Sequence, residues 1–212
     1  MMQVNGERED IIERIIEKEW NFFAKVNNIG GRADCQDDFR TFQIMRSSQF
    51  EAWDQEVLHS YAHDLEQAEF MGQNPVELKY AYMMKDTAPE YYEQKLAPFL
   101  PEIKEEKKKA AEQILEWEMT CYHKLREMYP NFIGLGRQEQ DSEGNQMTSI
   151  SVYLRGELYT YSRETLTLYL EMVKNKEKEG SNLIREIYEN TAKRYGYQDL
   201  EDAERAVTPE SG

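Results

Sequence analysis

An all-α fold is what the sequence predicts: a single helical domain over residues 1–212, a bundle of seven to nine helices, with at most one small β-hairpin. Three observations predict it. Apolar residues recur at intervals of three and four along almost the whole chain, the period of helices that bury one face. Gly and Pro are few, 11 and 6 in 212 residues, so long helices go largely uninterrupted. The 8 Phe, 14 Tyr and 3 Trp, in a chain that is 40% apolar, supply bulk for one sizeable core. They also exclude disordered, collagen-like and disulfide-scaffold classes.

The elements follow in chain order. Ile12, Ile15, Ile16, Phe22, Phe23, Val26 and Ile29 define a first helix, stopped by Gly30-Gly31. A second helical stretch starts near Cys35 and carries Phe39, Phe42, Phe50, Trp53, Leu58 and Leu65. A break is expected near Ser47-Ser48, and the stretch ends by Gly72. Asn74-Pro75 is a cap followed by proline at the first helical position, opening a third helix through Met84. Ala88-Pro89 restarts a short helix. The longest pattern runs from Glu102 to Tyr129 on the stripe Ile103, Ala110, Ile114, Trp117, Cys121, Leu125 and Met128, closed by Pro130. Residues 131–148, with Gly134, Gly136 and Gly144, read as an irregular loop; a hairpin pairing Phe132–Arg137 with Met147–Tyr153 is the alternative. Helices resume at Ile150. Ser162 caps the next, which Gly180 ends, and Ser181 caps another, ended by Gly196. Residues 199–212 form an acidic tail with one short solvated helix.

Composition narrows the function classes. The 26 Lys+Arg against 41 Asp+Glu give a net charge of −15, which repels phosphate backbones and argues against nucleic-acid binding. The one basic run, Lys107-Lys108-Lys109, follows Glu102, Glu105 and Glu106 and reads as a solvated helix face. No apolar stretch approaches 18 residues and no signal-like h-region follows Met1, so neither membrane insertion nor secretion is expected. Cys35 and Cys121 form no CxxC and are expected as reduced thiols in the cytoplasm. Glu56 and His59 make one Glu-x-x-His, with His63 at i,i+4 from His59. A di-iron bundle site needs a second such pair, so no metal site is expected. GxGxxG, Walker A, GxSxG and HExxH are all absent, and no cofactor is implied.

The chemistry that remains lies in polar residues on apolar faces. Cys35, Phe39, Phe42, Arg46, Gln49 and Trp53 are spaced 4, 3, 4, 3, 4 and share one stripe, which carries Arg46 and Gln49 toward the core. Glu157 lies on the apolar arc of Leu154, Leu158 and Tyr161, one turn from Tyr153. Two inward charges of opposite sign tend to meet, since an unpaired buried charge costs several kcal/mol, about 3–5 when a partner is removed. Asp37 is the second acid proposed for Arg46. Lys79 and Tyr80 form another mixed group beside Met83 and Met84. At the helix junction, Gly30-Gly31 precede Arg32, Gln36 and Asp37, a place where a helix start can hold an anion; the competing reading is a glycine stop and an aspartate cap. The leading expectation is a pocket for a small polar or anionic ligand lined by Arg32, Gln36, Asp37, Arg46, Gln49, Lys79, Tyr80, Tyr153 and Glu157. There Glu157 or Asp37 would act as acid or base if chemistry occurs. The competing readings are purely structural ion pairs, or an interaction module docking through aromatics such as Tyr91 and Tyr92.

Several segments together carry a family resemblance. Trp20, Asn27, the run from Gly30 to Asp37, Ile44-Met45-Arg46, Ser48-Gln49-Phe50, Lys79-Tyr80-Ala81 with Met83-Met84, and Tyr153 to Leu158 with Tyr161-Ser162 resemble the bacterial family DUF4125, over nearly the whole chain. The resemblance implies a soluble bacterial protein, in some cases encoded beside or fused to nucleotidyltransferase-like domains. It implies no activity and no catalytic residue.

Overall fold

The computed structural model describes residues 2–27, 31–137 and 148–209. Among them every regular element is helical: α1 (Met2–Phe23), α2 (Phe39–Glu51), α3 (Gln55–Phe70), α4 (Pro75–Thr87), α5 (Pro89–Tyr91), α6 (Glu105–Met128), α7 (Pro130–Gly134), α8 (Ile150–Leu158), α9 (Arg163–Glu179), α10 (Leu183–Arg194) and α11 (Leu200–Val207). These eleven exceed the expected seven to nine because α5 and α7 are single turns and the second stretch is divided.

Local chemistry sets many of the ends. Asn74 accepts from the amides of Val76 and Glu77, Ser162 from Thr165, and Asp199 from Asp202, each satisfying donors that a helix start leaves open. Gly180, at φ +71°, ends α9 in the left-handed conformation that a side chain disfavours. Asn182, and not Ser181, caps α10 by accepting from Arg185; the Ser181 hydroxyl instead donates to the Lys176 carbonyl.

Further sequence expectations are corrected. The tail helix α11 is not a solvated one, because Leu200 and Ala203 are fully buried in the core. The break in the second stretch falls at 52–54 and not at Ser47-Ser48. Both serines are buried inside α2, and the Ser48 hydroxyl donates back to the Ile44 carbonyl without interrupting the helix. The chain turns after Glu51 because Arg8, from α1, donates to the carbonyls of Glu51 and Trp53, two acceptors freed at the end of α2. The hairpin is replaced by helix: 130–134 form α7 and 150–158 form α8, while the expected loop at 138–147 lies outside the described residues. The start of α7 is capped from afar, since Glu204 of α11 accepts from the Asn131 and Phe132 amides at 2.9 and 2.7 Å. The first helix ends at Phe23, and its expected stop at Gly30 also lies outside the described residues.

Two buried clusters hold these elements together. The larger joins α1, α2, α3, α6, α8, α9 and α10 around Ile15, Trp53, Leu58, Ile114, Leu166 and Leu183. The smaller joins the second half of α6 to α7, α10 and α11 through Tyr122, Leu125, Ile133 and Leu200. Helix α4 packs on α8 closely enough that a Cβ at Gly156 would stand 2.7 Å from Met83 Cγ and 3.0 Å from the Lys79 carbonyl oxygen. This close approach carries Lys79 over Glu157 and begins the site.

Candidate functional site

Arg46 is buried on α2 and anchors a network fed by four other helices and the turn after α8. Its Nε and Nη2 donate to the two oxygens of Glu19 on α1, at 2.6 and 2.5 Å, in the paired geometry that suits a guanidinium and a carboxylate. Nη1 donates to Glu157 Oε1 on α8 at 2.9 Å and to the Gln49 side-chain oxygen at 2.7 Å. The Phe50 ring lies 4.7 Å below the guanidinium carbon. Tyr61 of α3 donates to Glu19 at 2.5 Å, and Tyr161, just beyond α8, donates to Glu157 at 2.9 Å. Glu157 then turns its other oxygen to the Lys79 ammonium, 3.5 Å away, which itself donates to the Tyr153 hydroxyl at 2.8 Å.

Burial sets these ionisations against their neighbours. For Glu157, burial opposes charge, but Arg46 and Lys79 together outweigh it and hold the carboxyl down at about 2. Burial likewise works against the Lys79 ammonium, and Tyr153 and Glu157 overcome it, raising its pKa. Arg46 follows the same pattern with Glu157 and Glu19. Tyr61 and Tyr161 are pushed well above 10.0, first by burial and then by the carboxylates they serve. All of them therefore keep one protonation state near neutrality. A carboxyl held at about 2 carries no proton at pH 7, so the expectation that Glu157 could serve as a general acid is corrected.

The buried carboxyl that does titrate near neutrality is one the sequence reading passed over. Glu118 on α6 is 3% exposed and accepts from the Tyr169 hydroxyl of α9 at 2.5 Å. Burial, reinforced by the charge of Glu157 and only partly offset by Tyr169, raises it to about 7. Its position could have signalled it: Glu118 lies four residues after Ile114 and four before Tyr122, both buried. Glu19 was missed as well, although it lies four residues after buried Ile15 and three before buried Phe22.

The structure brings Arg46, Gln49, Lys79, Tyr153 and Glu157 into one connected group, with Tyr80 beside it, its ring 5.3 Å from the Lys79 ammonium. Arg32, Gln36 and Asp37 engage in local bonding. Arg32 pairs with Asp37 at 2.8 Å on the surface and donates to the Ala24 and Gln36 carbonyls, so Asp37 is not the partner of Arg46. That pairing lowers the pKa of the exposed Asp37. The Gln36 side chain is buried, donating to the carbonyls of Phe23 and Val26 and accepting from the Ala33 amide. The network extends to half-buried Tyr153, whose ring has Lys79 Nζ and Arg137 Cζ each 4.1 Å from its centroid. Tyr80 stands near enough to feel Arg137 as well. A groove of about 800 Å³ runs between α1, α2 and α10, and a cavity of about 320 Å³ sits between α4, α6 and α8. Neither is lined by Arg46, Lys79 or Glu157.

Fold and site together define an all-helical protein built around a buried, charge-balanced ion cluster. The chain belongs to the family described as Protein of unknown function (DUF4125), whose model matches residues 9–205. No curated protein and no solved structure matches it. No helix among the described residues is long and apolar enough to cross a membrane, and no group of three or more His, Cys, Asp or Glu there is placed to hold a metal ion.

Proposed function

We propose that this is a bacterial cytoplasmic protein that binds a small anionic ligand, and that the ligand docks at the Lys79–Tyr153–Arg137 face. The observation that carries the reading is the convergence of two cationic head groups, each 4.1 Å from the centroid of the Tyr153 ring, in a chain of net charge −15. They arrive from α4 and from the segment after α7, and among the described residues Arg137 has no carboxylate within ion-pair distance. Glu157 and Arg46 act behind this face: they hold Lys79 charged and in position, as an ordered support does for a binding group. Tyr80 stands beside it, its ring 5.3 Å from the Lys79 ammonium, and Gln49 supports Arg46 from behind.

A thermal-shift titration with inorganic phosphate tests the reading, because binding to the native state raises stability by mass action. Phosphate should raise the melting temperature of the wild type and leave that of Arg137→Ala unchanged. Arg137 is only half-buried, so this variant should fold normally. No shift in the wild type at tens of millimolar phosphate, or an equal shift in Arg137→Ala, would overturn the proposal.

The second reading is a protein-docking module. It is supported by Phe70 and Met71, adjacent residues at the end of α3 that are 87% and 62% exposed, and by exposed Tyr91. The partner implied by the family resemblance is nucleotidyltransferase-like.

A further inference from the structure

We propose that the cavity between α4, α6 and α8 binds a free α-amino acid with an apolar side chain. Its volume of about 320 Å³ lies at the small end of ligand sites, with room for one such molecule and too little for a nucleotide or a peptide. Helical spacing builds the walls. Tyr82, Lys85 and Asp86 face the cavity from α4, Arg155 and Tyr159 face it from α8, and Glu112 enters from α6. The charged groups balance, two cations against two carboxylates, in a chain of net charge −15. Such a lining gives no advantage to a lone anion or a lone cation, and it favours a ligand that carries both charges.

Two observations point to an occupant. Glu112 Oε1 accepts from Arg155 Nε at 2.8 Å and from the Tyr159 hydroxyl at 3.0 Å. One edge of the guanidinium is thereby fixed, while Nη1 on the other edge makes no hydrogen bond among the described residues. Nη1 stands 3.7 Å from Asp86 Oδ2, beyond hydrogen-bond range. A guanidinium edge and a carboxylate thus lie side by side at the cavity without bonding. Independently, Asp86 sits in the last turn of α4, where the helix dipole opposes an acid, and its carboxylate accepts no hydrogen bond among the described residues. Its neighbour Lys85 has no ion pair among them either.

An α-amino acid carries its carboxylate and its ammonium on one carbon, so its charges stand as close together as those of Arg155 and Asp86. Laid against that pair in the opposite sense, its carboxylate accepts from Arg155 Nη1 and from the Lys85 ammonium, and its ammonium donates to Asp86. The rings of Tyr82 and Tyr159, edge to face at 6.0 Å, supply with Val152 the apolar surface for the side chain. Arg155 is held before the ligand arrives, which lowers the ordering cost of binding. A metal ion would meet two cations here, and phosphate would meet two carboxylates. The site is separate from the Lys79–Tyr153–Arg137 face, since none of those three residues lines the cavity.

Isothermal titration of the whole protein with L-leucine tests the proposal, alongside L-leucinamide, which lacks the carboxylate, and isocaproate, which lacks the ammonium. Saturable binding of one leucine per chain is expected, with both analogues weaker by about tenfold or more. Asp86→Asn and Arg155→Lys should each weaken leucine binding by a similar factor. Arg137→Ala, at the other face, and Glu127→Gln, an exposed control on α6, should leave it unchanged. Asp86 is exposed and lysine keeps the charge at position 155, so both variants should fold, which circular dichroism checks. Absence of saturable leucine binding overturns the proposal. So does either analogue binding as tightly as leucine, or equal binding of leucine by the wild type and either variant. Loss of leucine binding in Arg137→Ala would place the ligand at the other face and overturns the proposal too.

Discussion

Replacing Glu118 by glutamine removes a buried carboxyl that titrates near neutrality, and the effect on stability has a definite pH window. Its pKa is raised from the ordinary 4.5 to about 7, so between those values the unfolded chain releases a proton that the native state still holds. Stability therefore falls as pH rises through this interval, and the loss is complete above pH 7. The interval corresponds to about 3 kcal/mol, at about 1.4 kcal/mol per pH unit. Glutamine keeps an oxygen for the Tyr169 hydroxyl and has no proton to lose. Urea unfolding of both proteins at a series of pH values isolates the effect, since all other titrations cancel in the difference. Near pH 4.5 the two should be nearly equal; by pH 8 Glu118→Gln should be the more stable by about 3 kcal/mol. Glu157 does not interfere. Its pKa is depressed to about 2, so its contribution is present above pH 4.5 and is lost only as pH falls toward 2. A difference that stays flat from pH 4.5 to 8, or a variant less stable at pH 8, would refute the reasoning.

Two further substitutions probe the network and its support. Arg46→Met strands Glu19 and Glu157 as buried carboxylates and should cost about 3–5 kcal/mol in urea unfolding, and a loss below 1 would mean that water already reaches them. Adding Glu157→Leu should not restore stability, because Glu19 and Lys79 then remain unpaired; recovery should require Glu19→Gln and Lys79→Met as well. Gly156→Ala should push α4 from α8 and cost about 1–3 kcal/mol, somewhat offset by alanine's better helix propensity, and a rise in melting temperature would show that Met83 yields without strain.

The sequence by itself determined what short-range physics controls. Helical periodicity specified most elements, and the caps at Asn74 and Ser162 and the glycine stop at Gly180 were legible because each acts within a few residues of its own helix. It also determined that Arg46 and Glu157 turn inward, because each sits on an apolar stripe, and that opposite buried charges must meet. Only the tertiary structure decided the remaining partners. Glu19 and not Asp37 clasps Arg46, since the paired oxygens depend on how α1 lies across α2, and Asp37 is already taken by its neighbour Arg32. The break after α2 depends on Arg8 reaching in from α1, and α7 replaces a hairpin because Glu204 caps it from α11. The convergence of Lys79 and Arg137 on Tyr153, and the cavity beside Arg155 and Asp86, arise from contacts between segments far apart in the chain. Such contacts depend on which helices pack together, and periodicity within any one helix carries no record of that choice.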